Sequence, residues 1–83
     1  MGKMGTHIAK EVEACILELL RNQDGLTTYE IAKRLGITWS TANRACQDLA
    51  IRGWLTVKEE YQGFVRSKRW FLNREKLKQM EEA

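Results

Sequence analysis

Eighty-three residues with a formal net charge of +3 allow one domain with a thin core, because a chain this short buries only about 60–65% of the surface its unfolded form exposes. No run approaches the roughly 18 apolar residues of a membrane span, and the first residues lack the hydrophobic stretch of a secretory signal, so the expected location is the cytoplasm. One histidine, His7, and two cysteines, Cys15 and Cys46, make no metal cluster at recognisable spacing; with scattered carboxylates, no glycine-rich phosphate loop and no nucleophile beside a base, an enzyme, a cofactor and a metal are not expected.

In chain order the pattern predicts helix, helix, helix, strand, strand, helix in a single domain over 1–83. Thr6 caps a first helix over 7–22, where Ile8, Val12, Cys15, Ile16, Leu19 and Leu20 recur at three- and four-residue steps and face a core or a partner. Cys15 and Cys46 both fall in apolar helical registers and read as reduced core thiols. Gly25 follows the end of this helix. Thr27 with Glu30 three residues later is a capping-box signature for a short second helix over 28–35, with Ile31, Ala32 and Leu35 inward. Gly36 stops it, Ile37 plugs the turn, and Thr38 caps a third helix over 39–52 whose inward stripe is Ala42, Ala45, Cys46 and Leu49. The two alanines let the second helix cross closely, which makes a helix-turn-helix.

After Gly53 the period changes from about 3.6 to 2. Leu55 and Val57 share one side of a strand that begins near Trp54, and Gln62-Gly63 marks a hairpin tip. A second strand over 64–72 puts Trp70 and Leu72 on one face and points Ser67 and Arg69 away. A two-stranded ribbon is marginal alone in water, so the hairpin over 54–72 has to lie against the helices. Asn73 caps a last helix over 74–82, in which Leu77 and Met80 are three apart; it is too short to persist without packing on something.

Charge is unevenly placed. Lys33, Arg34, Arg44, Arg52, Lys58, Arg66, Lys68 and Arg69 stand against Asp48, Glu59 and Glu60 in the middle of the chain, whereas the first helix carries Glu11, Glu13 and Glu18. A basic face suits a polyanion such as double-stranded DNA, and the same charges also suit plain solubility. Because the third helix buries one stripe, its opposite side presents Trp39, Ser40, Asn43, Arg44 and Gln47. Asn43 and Gln47 carry amides that match adenine N6 and N7, and Arg44 carries the fork that matches guanine O6 and N7. Trp39 has three uses: stacking on sugar and phosphate or meeting a thymine methyl, touching a protein partner, or covering the thin core. Ser40 and Thr41, with the free N–H groups of the helix start, suit a phosphate or a base edge.

Thr28, Tyr29, Lys33 and Arg34 belong to the second helix, which in a helix-turn-helix crosses the DNA backbone and positions without specifying sequence. Lys33 and Arg34 also serve as ordinary C-terminal helix charges. On the ribbon, Lys58, Arg66, Lys68 and Arg69 crowd around a tip of Tyr61, Gln62, Gly63 and Phe64. That arrangement is open to phosphate or minor-groove contact, to a dimer or partner contact, or to solvent alone.

The stretch 26–55, reading LTTYEIAKRLGITWSTANRACQDLAIRGWL, resembles the helix-turn-helix core of the winged-helix transcriptional regulators. The residues that carry the likeness are Thr27, Glu30, Ile31, Ala32, Leu35, Gly36, Ile37, Ser40-Thr41, Leu49, Gly53 and Trp54-Leu55, and the continuation to Asn73 is similar to the wing hairpin. The resemblance implies an α+β, mostly α, winged helix-turn-helix fold. It also implies a recognition helix over 39–52 in the major groove and a wing over 58–69 against the backbone or minor groove. A homodimer joined through the terminal helices is implied as well, in a minimal repressor-like regulator of archaeal, bacterial or viral type. The rival readings are a winged helix that binds only protein, such as a subunit of a nucleoprotein assembly, and a binder of structured RNA.

Overall fold

In the computed structural model, which describes residues 2–82 and the side chains of residues 10–79, the chain runs α1 (Gly2–Asn22), β1 (Leu26–Thr27), α2 (Thr28–Leu35), α3 (Trp39–Ile51), β2 (Leu55–Gln62), β3 (Val65–Leu72) and α4 (Arg74–Glu82). The helix-turn-helix starts where local chemistry sets it. Thr27 accepts from the Glu30 N–H at 3.1 Å, and the Glu30 carboxylate accepts from the Thr27 N–H at 3.0 Å, so the capping box is closed in both directions. Gly36, at φ 67°, ends α2 in the left-handed conformation that a side chain resists. Thr38 then caps α3 by accepting from the Thr41 N–H at 3.2 Å. Each cap contributes about 1 kcal/mol, and together they fix the length of the turn.

The hairpin is not the two-stranded ribbon expected. Leu26 and Thr27 form a third strand that pairs antiparallel with β3, opposite Trp70 and Arg69, giving a sheet in the order β1-β3-β2. Two residues are too few to show alternation, so this strand leaves no periodic trace in the sequence. β3 becomes the central strand, paired on both flanks at Arg69 and Trp70. Trp70 lies beneath it, almost wholly buried, in one core with Val12, Ile16, Leu20, Leu26, Ile31, Ala42, Cys46, Leu49, Leu55 and Leu72. α4 is tied to the end of α3: Asn73 donates to the Gly53 carbonyl at 2.9 Å and accepts from the Lys76 N–H at 3.3 Å. Leu77 packs on the core, and Lys76 sits 4.8 Å from the Trp54 ring centroid.

Three further expectations change. α1 begins at Gly2, upstream of Thr6, so Thr6 is not its cap; the side chains of Thr6, His7 and Ile8, and of Met80, lie outside the described residues. Cys15 is exposed whereas Cys46 is buried. The buried register of α1 is the four-residue series Val12, Ile16 and Leu20, and Cys15, about 100° round the helix from Ile16, turns outward. Val57 shares a face with Leu55 and Trp70 yet is 45% exposed, because the ribbon runs on past the edge of the helices.

Candidate nucleic-acid interface

The outer side of α3 carries Trp39, Ser40, Thr41, Arg44 and Gln47, all exposed. Ser40, Arg44, Gln47 and Ile51 fall at steps of four, three and four, so they make one straight line along the helix. Ile51, 83% exposed, extends that line and is absent from the expected set; its spacing from Gln47 was the signal that could have found it. Thr41 is bound locally, its hydroxyl accepting from that of Thr38 at 2.8 Å.

Asn43 departs from the expectation. It is only half-buried as a residue, but its Oδ1 is covered and has no hydrogen-bond partner. The amide faces a cleft of about 550 Å³ between the helix starts and β3, lined by Thr27, Thr28, Tyr29, Trp39, Val65, Arg66, Ser67 and Lys68 as well. With Oδ1 covered, Asn43 in this conformation lacks the open acceptor that a bidentate contact to an adenine edge uses. The sequence stripe placed it correctly on the helix; the cleft it lines is shared with a hairpin remote in sequence.

Thr28 is also corrected. Its side chain is 3% exposed, and its hydroxyl accepts the Trp70 indole N–H at 2.8 Å, a pairing that removes it from contact with a DNA backbone. The capping box turns the first residue of α2 toward the sheet, and Tyr29, one residue on, points out. Lys33 and Arg34 are exposed at the end of α2, Arg34 donating to Gln23 at 2.5 Å.

Alternation along the hairpin sorts the wing cations. Arg66 and Lys68 share the face of Trp70, opposite Tyr61 and Glu59, while Lys58 and Arg69 oppose each other on the other face. Arg69 is not a free wing cation. It donates to the Gly25 carbonyl at 2.8 Å, pairs closely with Glu60 across the strands, and lies 3.8 Å from Glu30. It therefore joins the wing to the capping box of α2. Glu30 titrates below its ordinary value, chiefly because the Thr27 N–H binds the carboxylate; partial burial opposes this, and the Thr27 hydroxyl, Arg69 and Arg34 add to it. Arg52 pairs with Glu13 of α1 at 2.6 Å. Lys33, Arg44, Lys58, Arg66 and Lys68 have no acid or hydrogen-bond partner within the described residues. They remain as five cations without an ion pair among the described residues, spread over the end of α2, the outer side of α3 and both faces of the wing.

Among the described residues, no group of three or more metal-binding side chains converges and no helix is long and apolar enough to cross a membrane. No curated protein matches the chain. Of solved structures, the chain is similar to the PcaV transcriptional regulator from Streptomyces coelicolor, with 27% identity and a TM-score of 0.69 over 81% of this chain and 48% of that one. It is similar as well to the same regulator in complex with its natural ligand, at 27% identity and a TM-score of 0.68 over 80% and 46% of the two chains. The chain thus spans about half the length of these solved relatives. A MarR family model matches residues 10–63, from α1 to the tip of the wing. That match covers the helix-turn-helix and one arm of the hairpin, and with the shared fold it places the chain in the MarR family of winged-helix transcriptional regulators, which is not a family of enzymes.

Proposed function

We propose that the chain binds double-stranded DNA as a transcriptional regulator of repressor-like type, with α3 in the major groove and the β2–β3 wing against the adjacent backbone or minor groove. The observation that carries this reading is the exposed line of Ser40, Arg44 and Gln47 beside cations that form no ion pair among the described residues, on α2 and on both faces of the wing. An isolated basic protein lowers its own electrostatic energy by pairing such groups with acids; here Glu59 is engaged by the Tyr61 hydroxyl at 2.9 Å and Glu60 by Arg69 instead. Arg44 and Gln47 are the base readers, each good bidentate contact adding about 1–3 kcal/mol of discrimination. Ser40, Thr41, Trp39, Tyr29 and Lys33 surround them and set position, as do Arg34, Lys58, Arg66 and Lys68.

The active form is a homodimer joined through the terminal helices. α1, Trp54 and α4 leave a shallow groove lined by Ala14, Leu17 and Leu77 that a second copy would cover. Two copies of α3 would then reach half-sites about 34 Å apart.

Selection of bound sequences from a random duplex pool tests the reading. An enriched inverted repeat is the expected result, with Arg44→Ala or Gln47→Ala abolishing the preference while salt-sensitive binding to random duplex persists. Equal losses on selected and random duplexes would reject the base-reading role. Ile51 at the end of the line is the feature that favours a protein contact, and absence of enrichment with salt-insensitive, weak binding would favour that reading.

A further inference from the structure

We infer that Phe64, at the tip of the wing, is an apolar wedge that enters the minor groove of double-stranded DNA and bends the duplex. This rests on the DNA-binding reading above and adds a mode of recognition to it. Phe64 is the second residue of the two-residue turn between β2 and β3, and its side chain is fully exposed. An exposed apolar residue is ordinary by itself, since much of any protein surface is apolar. The position is what matters. The reversal of the chain is made by Gly63 at φ 61°, and among the described residues only glycines have positive φ, so the turn does not call for a phenylalanine. The six steps along the strand from Trp70 to Phe64 carry the ring about 20 Å from the core, out of reach of any role in stability.

The charges around the ring name the partner. Arg66 and Lys68 stand on one face of the ribbon and Lys58, nearer the core, on the other; none of the three forms an ion pair within the described residues, although Glu59 lies across from Lys68. The minor groove is a slot about 6 Å wide with phosphates on both walls, narrower than a ribbon that carries side chains on both faces. Only the turn, Gly63 and Phe64, therefore enters it, with the ring toward the base steps and Arg66 nearest the phosphates at its lip. Apolar wedges inserted there unstack a step and kink the duplex by about 20–90° toward the major groove. The cost is least at TA and CA steps, so Phe64 would confer preference at positions where no hydrogen bond is made.

End-labelled duplexes of about 30 base pairs, carrying either TA steps once per turn or A-tracts at the same places, test this by energy transfer between the ends. With the full chain the expected result is a shortened end-to-end distance on the TA duplex and about tenfold tighter binding to it than to the A-tract duplex. Phe64→Ala should abolish the shortening and bring the ratio near one, with an unchanged salt slope, and Phe64→Leu should keep most of both. Binding of the unaltered chain without shortening, or equal shortening by Phe64→Ala, would overturn the wedge and leave DNA binding standing. Failure to bind either duplex would overturn both. Phe64-dependent capture by phosphatidylserine vesicles in place of either duplex would assign the tip to a membrane and overturn the wedge as well.

Discussion

The indole N–H of Trp70 donates to the Thr28 hydroxyl at 2.8 Å, and both side chains are buried. One hydrogen bond thus joins the central strand of the sheet to the first residue of α2. Thr28→Val keeps the shape and strands a buried donor, so unfolding by urea should show a loss of about 1–3 kcal/mol. A change below about 0.5 kcal/mol would mean that water reaches the indole when the hydroxyl is gone.

Arg69 and Lys68 are neighbours in sequence with opposite expected behaviour. Arg69→Gln should lower stability by about 1 kcal/mol, because it removes a charged donor from the Gly25 carbonyl and from two half-exposed acids. It should weaken DNA binding without altering the dependence on salt. Lys68→Ala should leave stability within about 0.5 kcal/mol and reduce the salt slope by about one. Thermal melts with fluorescence titrations at several salt concentrations distinguish the two; the same slope change in both variants would return Arg69 to the set of phosphate contacts.

Glu30 gives the fold an acid-sensitive contact of predictable sign. Its carboxyl has a lowered value in the folded chain, so the stabilisation it brings is fully present above its ordinary value of 4.5 and is lost as pH falls through the lowered one. Glu30→Gln preserves a side chain able to close the capping box. Between about pH 6 and about pH 3 the variant should lose less stability than the unaltered chain. Parallel losses would assign the acid sensitivity to other carboxylates.

The two thiols should separate cleanly by reactivity. Burial pushes Cys46 up to about 12 and closes it to reagent, whereas Cys15 lies on the outer side of α1. A chromogenic disulfide should titrate one thiol quickly in the folded protein and the second only on unfolding. Rapid reaction of both would mean that the α1–α3 contact opens on the time scale of labelling.

Local signals carried most of the fold. Thr27 with Glu30, Gly36, Thr38 and Asn73 state helix ends in chemistry that acts within four residues, and the stripe from Ala42 to Leu49 needs only the helical period. For the same reason the outward positions of Arg44 and Gln47 were legible. The misplacements share a cause. Thr28 meets Trp70, 42 residues on, Arg69 meets the Gly25 carbonyl, 44 residues back, and Asn43 shares a cleft with Val65 to Lys68; no local pattern encodes such meetings.

The sequence by itself determined where the second, third and fourth helices begin, which stripes are apolar, and that basic groups collect in the middle of the chain, because each follows from neighbours within a turn or two. Only the tertiary structure decided that Leu26 and Thr27 make a strand, that Arg69 is a brace while Arg66 and Lys68 stay free, and that the oxygen of Asn43 is closed off. Those outcomes depend on how the hairpin docks on the helices, and docking is set by the fit of Trp70 among core residues drawn from every element between α1 and β3.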